Sequence, residues 1–223
     1  KECPREIRLC GPRASYISST LKNFLKEDDR LFTTNVRYKE TNSKDVVRLV
    51  SSKEFDLGIV RCQVLYEPFF LKMIQDEHLD SKVLWQFSPK VLMSPSHPLA
   101  GKEPLDHLDF SQSVELLQGD IQYPSFTPEN TDCVLPDSDP RHTIYIYDRG
   151  SQYEFLRHLP GAYMWTSPVP YSTLTEAKLI QRECTRPDNV FKDLLVCRSN
   201  YRLSKAETEL TQWLGRTISQ LSD

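Results

Sequence analysis

The chain has 223 residues, enough for one large domain or two small ones with a sizeable core. Hydrophobic residues make up 39% and charged residues 26%, and no apolar run approaches the roughly 20 residues of a membrane-spanning helix, which predicts a soluble protein. The net charge of −3, with 28 basic and 31 acidic side chains interleaved, offers no basic footprint for gripping nucleic acid. The polar start KECPRE runs directly into a strand-like segment, the opposite of a secretory signal peptide, so a signal has been removed or was never present.

In chain order, residues 6–11 (EIRLCG) read as a short strand ending in Gly-Pro, and residues 15–25 carry Ile17, Leu21, Phe24 and Leu25 at helical spacing. Residues 32–40 (FTTNVRYKE) are rich in β-branched and aromatic side chains and run into the cap-type residues Thr41, Asn42 and Ser43 before Val46, Val47 and Val50. Residues 55–60 (FDLGIV) are nearly continuously apolar, as a strand covered on both faces must be. Strands alternating with helices predict an α/β domain. Two further strands are expected at 83–87 and 90–93, followed by SPSHPLAG, in which His97 stands between Pro95 and Pro98. A histidine invites a catalytic or metal-binding reading. The flanking prolines and Gly101 instead predict a turn.

Beyond the turn, 105–110 can form a helical turn and 114–117 reads as a strand. The segment 121–142 contains Pro124, Pro128, Pro136 and Pro140, which forbids a long helix and predicts a structured loop. Residues 144–147 read as a strand, and Ser151 with Glu154 fits a capping box for a helix carrying Phe155, Leu156 and Leu159 and stopped by Pro160-Gly161. Strands are expected at 162–165 and 193–197. The last helix starts at a second capping box, Ser204 and Glu207, and packs Leu210, Trp213, Leu214 and Leu221.

Motifs with a built-in mechanism, such as G-x-G-x-x-G, the P-loop, G-x-S-x-G and H-E-x-x-H, are absent from the sequence, and the five histidines never fall at a chelating spacing. No metal and no cofactor are predicted. The six cysteines form no C-x-x-C pair and read as free thiols in a reducing cytoplasm; Cys184 and Cys197 could meet across neighbouring strands, and Cys133, in a polar loop, is the one candidate for a reactive thiol. What recurs is a loop between a strand's carboxyl end and a helix N-terminus, at 12–15, 41–43 and 148–151. Ligands of open α/β sheets bind at such ends, and helix N-termini favour anions. Ser43 and Ser151 read equally well as simple N-caps. Arg13 and Arg149 could be solvated surface charges. The convergence of three such loops points to a site for a small anionic ligand.

The order and spacing of these pieces resemble the effector-binding domain of LysR-type transcriptional regulators. The resemblance rests on FDLGIV at 55–60, on HPLAG at 97–101 at the family's separation, on a loose match of SQYEF and GAYMW to the family's second-half motif, and on the closing strand and helix at 194–221. It implies two Rossmann-like α/β subdomains joined by two crossover strands, similar to type 2 periplasmic binding proteins, with residues 1–88 and 199–223 in the first and 89–198 in the second. It also implies a cytoplasmic regulator that is not an enzyme, a homodimer or homotetramer that reaches DNA only through a winged helix-turn-helix outside this chain, and a carboxylate or other anionic effector held between the subdomains. The effector contacts expected on this basis are Arg13, Ala14, Ser15, Thr41, Asn42, Ser43 and Arg61 on one side, and Arg149, Gly150 and Ser151 on the other. The proline-rich 121–142 and the MWTSPVP segment depart from the family pattern, so no particular effector carries over, and no match to the peroxide-sensing cysteine pair is found. The alternative is a transport-type solute-binding protein with the same fold.

Overall fold

A computed structural model describes residues 5–27, 30–119, 142–186 and 190–222. In chain order its elements are β1 (Arg5–Gly11), α1 (Ser15–Lys26), α2 (Arg30–Thr33), β2 (Thr34–Glu40), α3 (Ser43–Ser51), β3 (Leu57–Gln63), α4 (Glu67–Asp76), β4 (Leu79–Phe87), β5 (Lys90–Met93) and β6 (Val114–Gln118). They continue with β7 (His142–Ile146), α5 (Arg149–His158), β8 (Ala162–Thr166), α6 (Tyr171–Ala177), β9 (Ile180–Arg182), β10 (Phe191–Arg198) and α7 (Lys205–Ser222). The chain divides into two compact units, the first made of Lys1–Ser88, Ser167–Thr173 and Asn189–Asp223, the second of Pro89–Thr166 and Leu174–Asp188. This partition differs from the sequence division at 167–173 and 189–198.

The first unit is built on a five-stranded sheet in the order β2-β1-β3-β10-β4. Strand β1 runs parallel to both β2 and β3, whereas β10 is antiparallel to β3 and β4. Strand alternation gives the sheet two apolar faces. Ile7, Leu9, Leu57, Ile59, Trp85 and Phe87 pack with α1 and α7 on one face, while Cys10, Val60, Cys62, Leu194 and Val196 pack with α3 and α4 on the other. Gly58 is what lets α3 lie so close, because a Cβ there would stand 2.5 Å from a Val46 methyl. A bidentate Arg8–Asp56 pair and the Arg198–Asp56 contact at 2.7 Å tie β1, the turn before β3 and the end of β10 together.

The second unit carries a sheet in the order β7-β6-β8-β5-β9, with β6 parallel to β7 and β8, and β5 antiparallel to β8 and β9. Leu92, Leu116, Leu156 and Met164 form one core, and Val91, Met93, Phe110 and Tyr163 the other. The SPSHPLAG segment is a turn, as the prolines predict: the His97 N–H donates to the Ser94 carbonyl, Ala100 N–H to the His97 carbonyl, and Leu99 N–H to His97 Nδ1 at 3.1 Å.

Several elements depart from the sequence reading. Helix α4, the short strand β9 and α6 had no counterpart in it. Helix α5 begins two residues before Ser151, because the Asp148 carboxylate caps the Ser151 N–H at 2.8 Å; Asp148, not the pair Ser151 and Glu154, caps it. Asn42, whose side chain accepts from Asp45 N–H, is the N-cap of α3 in place of Ser43. The capping box at Ser204 and Glu207 forms as expected, with N–H bonds in both directions at 2.8 and 3.3 Å. Cys184 and Cys197 are free: Cys197 lies on β10 of the first sheet, whereas Cys184 follows β9 of the second and is on no strand. Residues 121–141, including Cys133, lie outside the described residues.

Candidate functional site

In the first unit, β1 feeds α1 on one face of the sheet, and β3 feeds α4 on the other. The carboxyl ends of these two adjacent strands are therefore a topological switch point, where diverging connections leave a crevice in open α/β sheets. Arg13, Ala14 and Ser15 stand at the end of β1, Thr41, Asn42 and Ser43 at the end of β2, and Arg61 near the end of β3. The structure thus brings the seven first-unit residues to one edge of one sheet.

Their chemistry differs. Around 41–43 the polar groups are used internally: the Thr41 hydroxyl and the Asn42 amide donate to the Asp45 carboxylate at 3.2 and 3.1 Å, and Asn42 caps the helix. Ser43 stitches α3 to β3, donating to the Arg61 carbonyl at 2.6 Å and accepting from the Arg61 N–H at 3.0 Å. The positive end of α3 is thereby already supplied with its own carboxylate. Helix α1 is different: Ala14, its N-cap, has an extended backbone and provides no side-chain cap, and its first turn holds no acidic residue. Its 12-residue length gives it a developed dipole.

The strongest group at this edge is Arg61. Its Nε and Nη2 donate to the two oxygens of Asp193 at 2.8 and 2.7 Å. Asp193, on β10, is fully buried and also accepts from the Tyr16 hydroxyl at 2.8 Å and the Trp85 indole at 3.2 Å. The Arg61 guanidinium lies over the Phe87 ring, 4.9 Å from its centroid, a favourable cation–π placement. Burial works against the Arg61 charge, but the attraction and hydrogen bonds of Asp193 outweigh it and raise its pKa above the ordinary value. Burial, reinforced by the Asp193 charge, pushes the Tyr16 phenol well up, so it remains a donor. The sequence reading found Arg61 but missed Asp193, Trp85 and Tyr16. The signal available in DLLVC at 193–197 was a lone acid opening an otherwise apolar strand, a residue type that is buried only when paired.

In the second unit, Arg149, Gly150 and Ser151 form the first turn of α5, beyond the end of β7. Arg149 lies 5.7 Å from the Tyr153 ring centroid, and the Asp148 carboxylate takes the Ser151 N–H. Four cysteines are described, and burial raises every one: Cys10 and Cys62 to about 12, Cys184 to about 11, and Cys197 above its ordinary value. None of these is an activated thiol. Among the described residues no group of three or more His, Cys, Asp or Glu is placed to hold a metal ion. No helix among them is long and apolar enough to cross a membrane.

Residues 16–120 match the family model of the LysR substrate binding domain. Over that stretch the chain is similar to a LysR substrate binding domain. The effector binding domain of QuiR in complex with shikimate is similar over 98% of this chain and 99% of that one, with 15% identity and a TM-score of 0.59. The regulatory domain of NMB2055 (MetR), a LysR family regulator from N. meningitidis, is similar over 97% and 94%, with 13% identity and a TM-score of 0.60. The reduced regulatory domain of OxyR2 from Vibrio vulnificus is similar over 96% of each chain, with 17% identity and a TM-score of 0.64. At these identities the likeness is one of fold. A search of curated proteins found no match. The matched family model and these three structures are substrate-binding, effector-binding or regulatory domains, and they do not favour the transporter alternative.

Proposed function

We propose that this chain is the effector sensor of a cytoplasmic bacterial transcription regulator of the LysR type, and that it binds a small metabolite bearing a carboxylate or a similar anion. The observation that carries the reading is the switch-point edge of the first unit, where the side-chain-uncapped N-terminus of α1 meets Arg13 and the buried-anchored Arg61. Ala14 and Ser15 supply the backbone of that turn, and Thr41, Asn42 and Ser43 frame it from the end of β2. In the second unit, the first turn of α5 offers Arg149, Gly150 and Ser151 as its own candidate contacts, with the Asp148 carboxylate already taking the Ser151 N–H. The regulator would act as a homodimer or homotetramer and reach DNA through a winged helix-turn-helix. An effector that prefers one arrangement of the protein shifts its population, and a coupling of about 1–3 kcal/mol suffices for control. No covalent chemistry and no cofactor are needed.

A thermal-shift screen of small organic acids, with their neutral amides as controls, tests this reading. A ligand at 100 times its Kd adds about 2.7 kcal/mol of stability, so acids are expected to raise the Tm where their amides do not. A broad panel of acids without any shift would overturn the proposal.

A further inference from the structure

Asp193 is the least expected residue of the first unit: a carboxylate with no exposed surface in the middle of an apolar sheet. Four donor groups converge on it, Arg61 Nε and Nη2, the Tyr16 hydroxyl and the Trp85 indole N–H, which uses the roughly four lone-pair positions of a carboxylate. The β10–β4 pairing shifts register between Asp193 and Leu194, so Asp193 lies opposite Trp85 and Leu194 opposite Val83. Such bulges re-aim a side chain, here into the α1 side of the sheet.

The consequence falls on Arg61. Asp193 holds the guanidinium side-on, through Nε and Nη2, and Phe87 backs its face, so the side chain has one orientation. Of the five guanidinium N–H groups, three are left, two on Nη1 and one on Nη2, and they lie along the outer edge. Among the described residues no protein acceptor pairs with them, and the side chain keeps 18% exposure, in contrast to 0% for Asp193. An end-on pair of N–H groups on Nη1 and Nη2 matches the two oxygens of a carboxylate. Because Asp193 balances the Arg61 charge, the pair alone is neutral; the extra positive potential comes from the N-terminus of α1.

We propose that Arg61 receives a carboxylate end-on at this outer edge and that Asp193 is the positioning residue of the site, with Tyr16 and Trp85 holding Asp193 in turn. The proposal rests on the reading of this edge as the effector site and names the ligand group that meets it. Fixing the guanidinium before the ligand arrives removes the side-chain ordering cost of binding.

The test is NMR of the isotope-labelled chain, with acetate as the probe, acetamide as its neutral counterpart and sodium chloride to match ionic strength. The Arg61 Nε–H signal is assigned by its loss in Arg61→Lys. It is expected to shift saturably with acetate and to stay still with acetamide, while the exposed Arg48 follows salt alone. Asp193→Asn should weaken the acetate response of Arg61 about tenfold, the loss of one charge-assisted bond. Trp85→Phe, which removes one of four donors, should keep it within about threefold. A backbone spectrum establishes that each variant is folded. If Asp193→Asn does not fold, the wild-type contrast of acetate with acetamide and the Trp85→Phe titration still decide. The proposal is overturned if Arg61 moves no more than Arg48, if acetamide acts like acetate, or if folded Asp193→Asn binds acetate as the wild type does. An Arg61 that reads acetate in a protein deaf to the metabolite panel would sink the sensor reading and leave the anion site standing. A panel hit with a silent Arg61 would do the reverse.

Discussion

Removing both partners of the Arg61–Asp193 pair should cost no more than removing the worse one alone. In Arg61→Met the fully buried Asp193 carboxylate keeps only Tyr16 and Trp85 as donors, so its desolvation is no longer balanced. Breaking a buried pair in this way costs about 3–5 kcal/mol, and the complete burial of Asp193 puts this variant at the upper end. In Asp193→Leu, Arg61 loses two charge-assisted bonds, but its 18% exposure lets water reach it, which puts that variant at the lower end. Independent effects would sum to about 8 kcal/mol. The double variant Arg61→Met/Asp193→Leu buries no charge and loses only the acceptor of Tyr16 and Trp85, so it should be no less stable than the worse single, a coupling of about 3–5 kcal/mol. Urea unfolding of the four proteins, followed by circular dichroism with m-values compared, measures the cycle. Additivity within about 0.5 kcal/mol would refute the pairing.

Other expectations follow from the same packing. Gly58→Ala drives a Cβ to 2.5 Å from Val46 and 2.9 Å from Val50 and Val196, and should destabilise the chain by about 1–3 kcal/mol, or several degrees in Tm. A Tm within one degree of the wild type, about the resolution of a scan, would show that α3 moves away freely. His97 is held below its ordinary pKa of 6.5 by burial, and its Nδ1 accepts a bond that a protonated ring could not. The unfolded chain therefore takes up a proton that the folded chain refuses, and the contribution of His97 to stability, present above pH 6.5, is lost as pH falls toward its lowered value. His97→Gln should flatten the change in urea midpoint between about pH 7.5 and about pH 5.5 and leave ligand binding intact; an unchanged slope would contradict it. Iodoacetamide at neutral pH should label Cys10, Cys62, Cys184 and Cys197 slowly in the native protein, read by mass spectrometry, because burial raises all four thiols, the first three to about 11–12, and keeps them protonated there. Rapid native labelling of Cys184 would be the contrary result.

Much of this was legible in the sequence because the responsible physics is local. Short apolar runs mark β1, β3, β5 and β8, helical spacing marks α1 and α7, and the prolines around His97 dictate its turn. Helix α4 escaped because its stripe is short, Phe70 and Ile74 being its only buried side chains, in a run where Phe69, Leu71 and Met73 are apolar but not buried. The start of α5 was misplaced because Asp148 and Ser151 are both competent caps, and only the backbone shows which accepts a bond. The site divides in the same way. Strand-to-helix loops announced 12–15, 41–43 and 148–151, since the cap-type residues lie next to one another in the chain. The partners of Arg61 did not show themselves, because Tyr16, Trp85 and Asp193 come from α1, β4 and β10 and meet only through sheet order and a register shift.

The central claim, that a small acid is read at the Arg61 edge of the first unit, is tested most directly by calorimetric titration of the strongest acid from the screen into wild type and a folded Arg61→Lys variant. Lysine keeps the charge but loses the two-pronged edge. The account predicts at least about tenfold weaker binding by the variant, the value of one lost charge-assisted hydrogen bond. Equal affinity in the two proteins would contradict it.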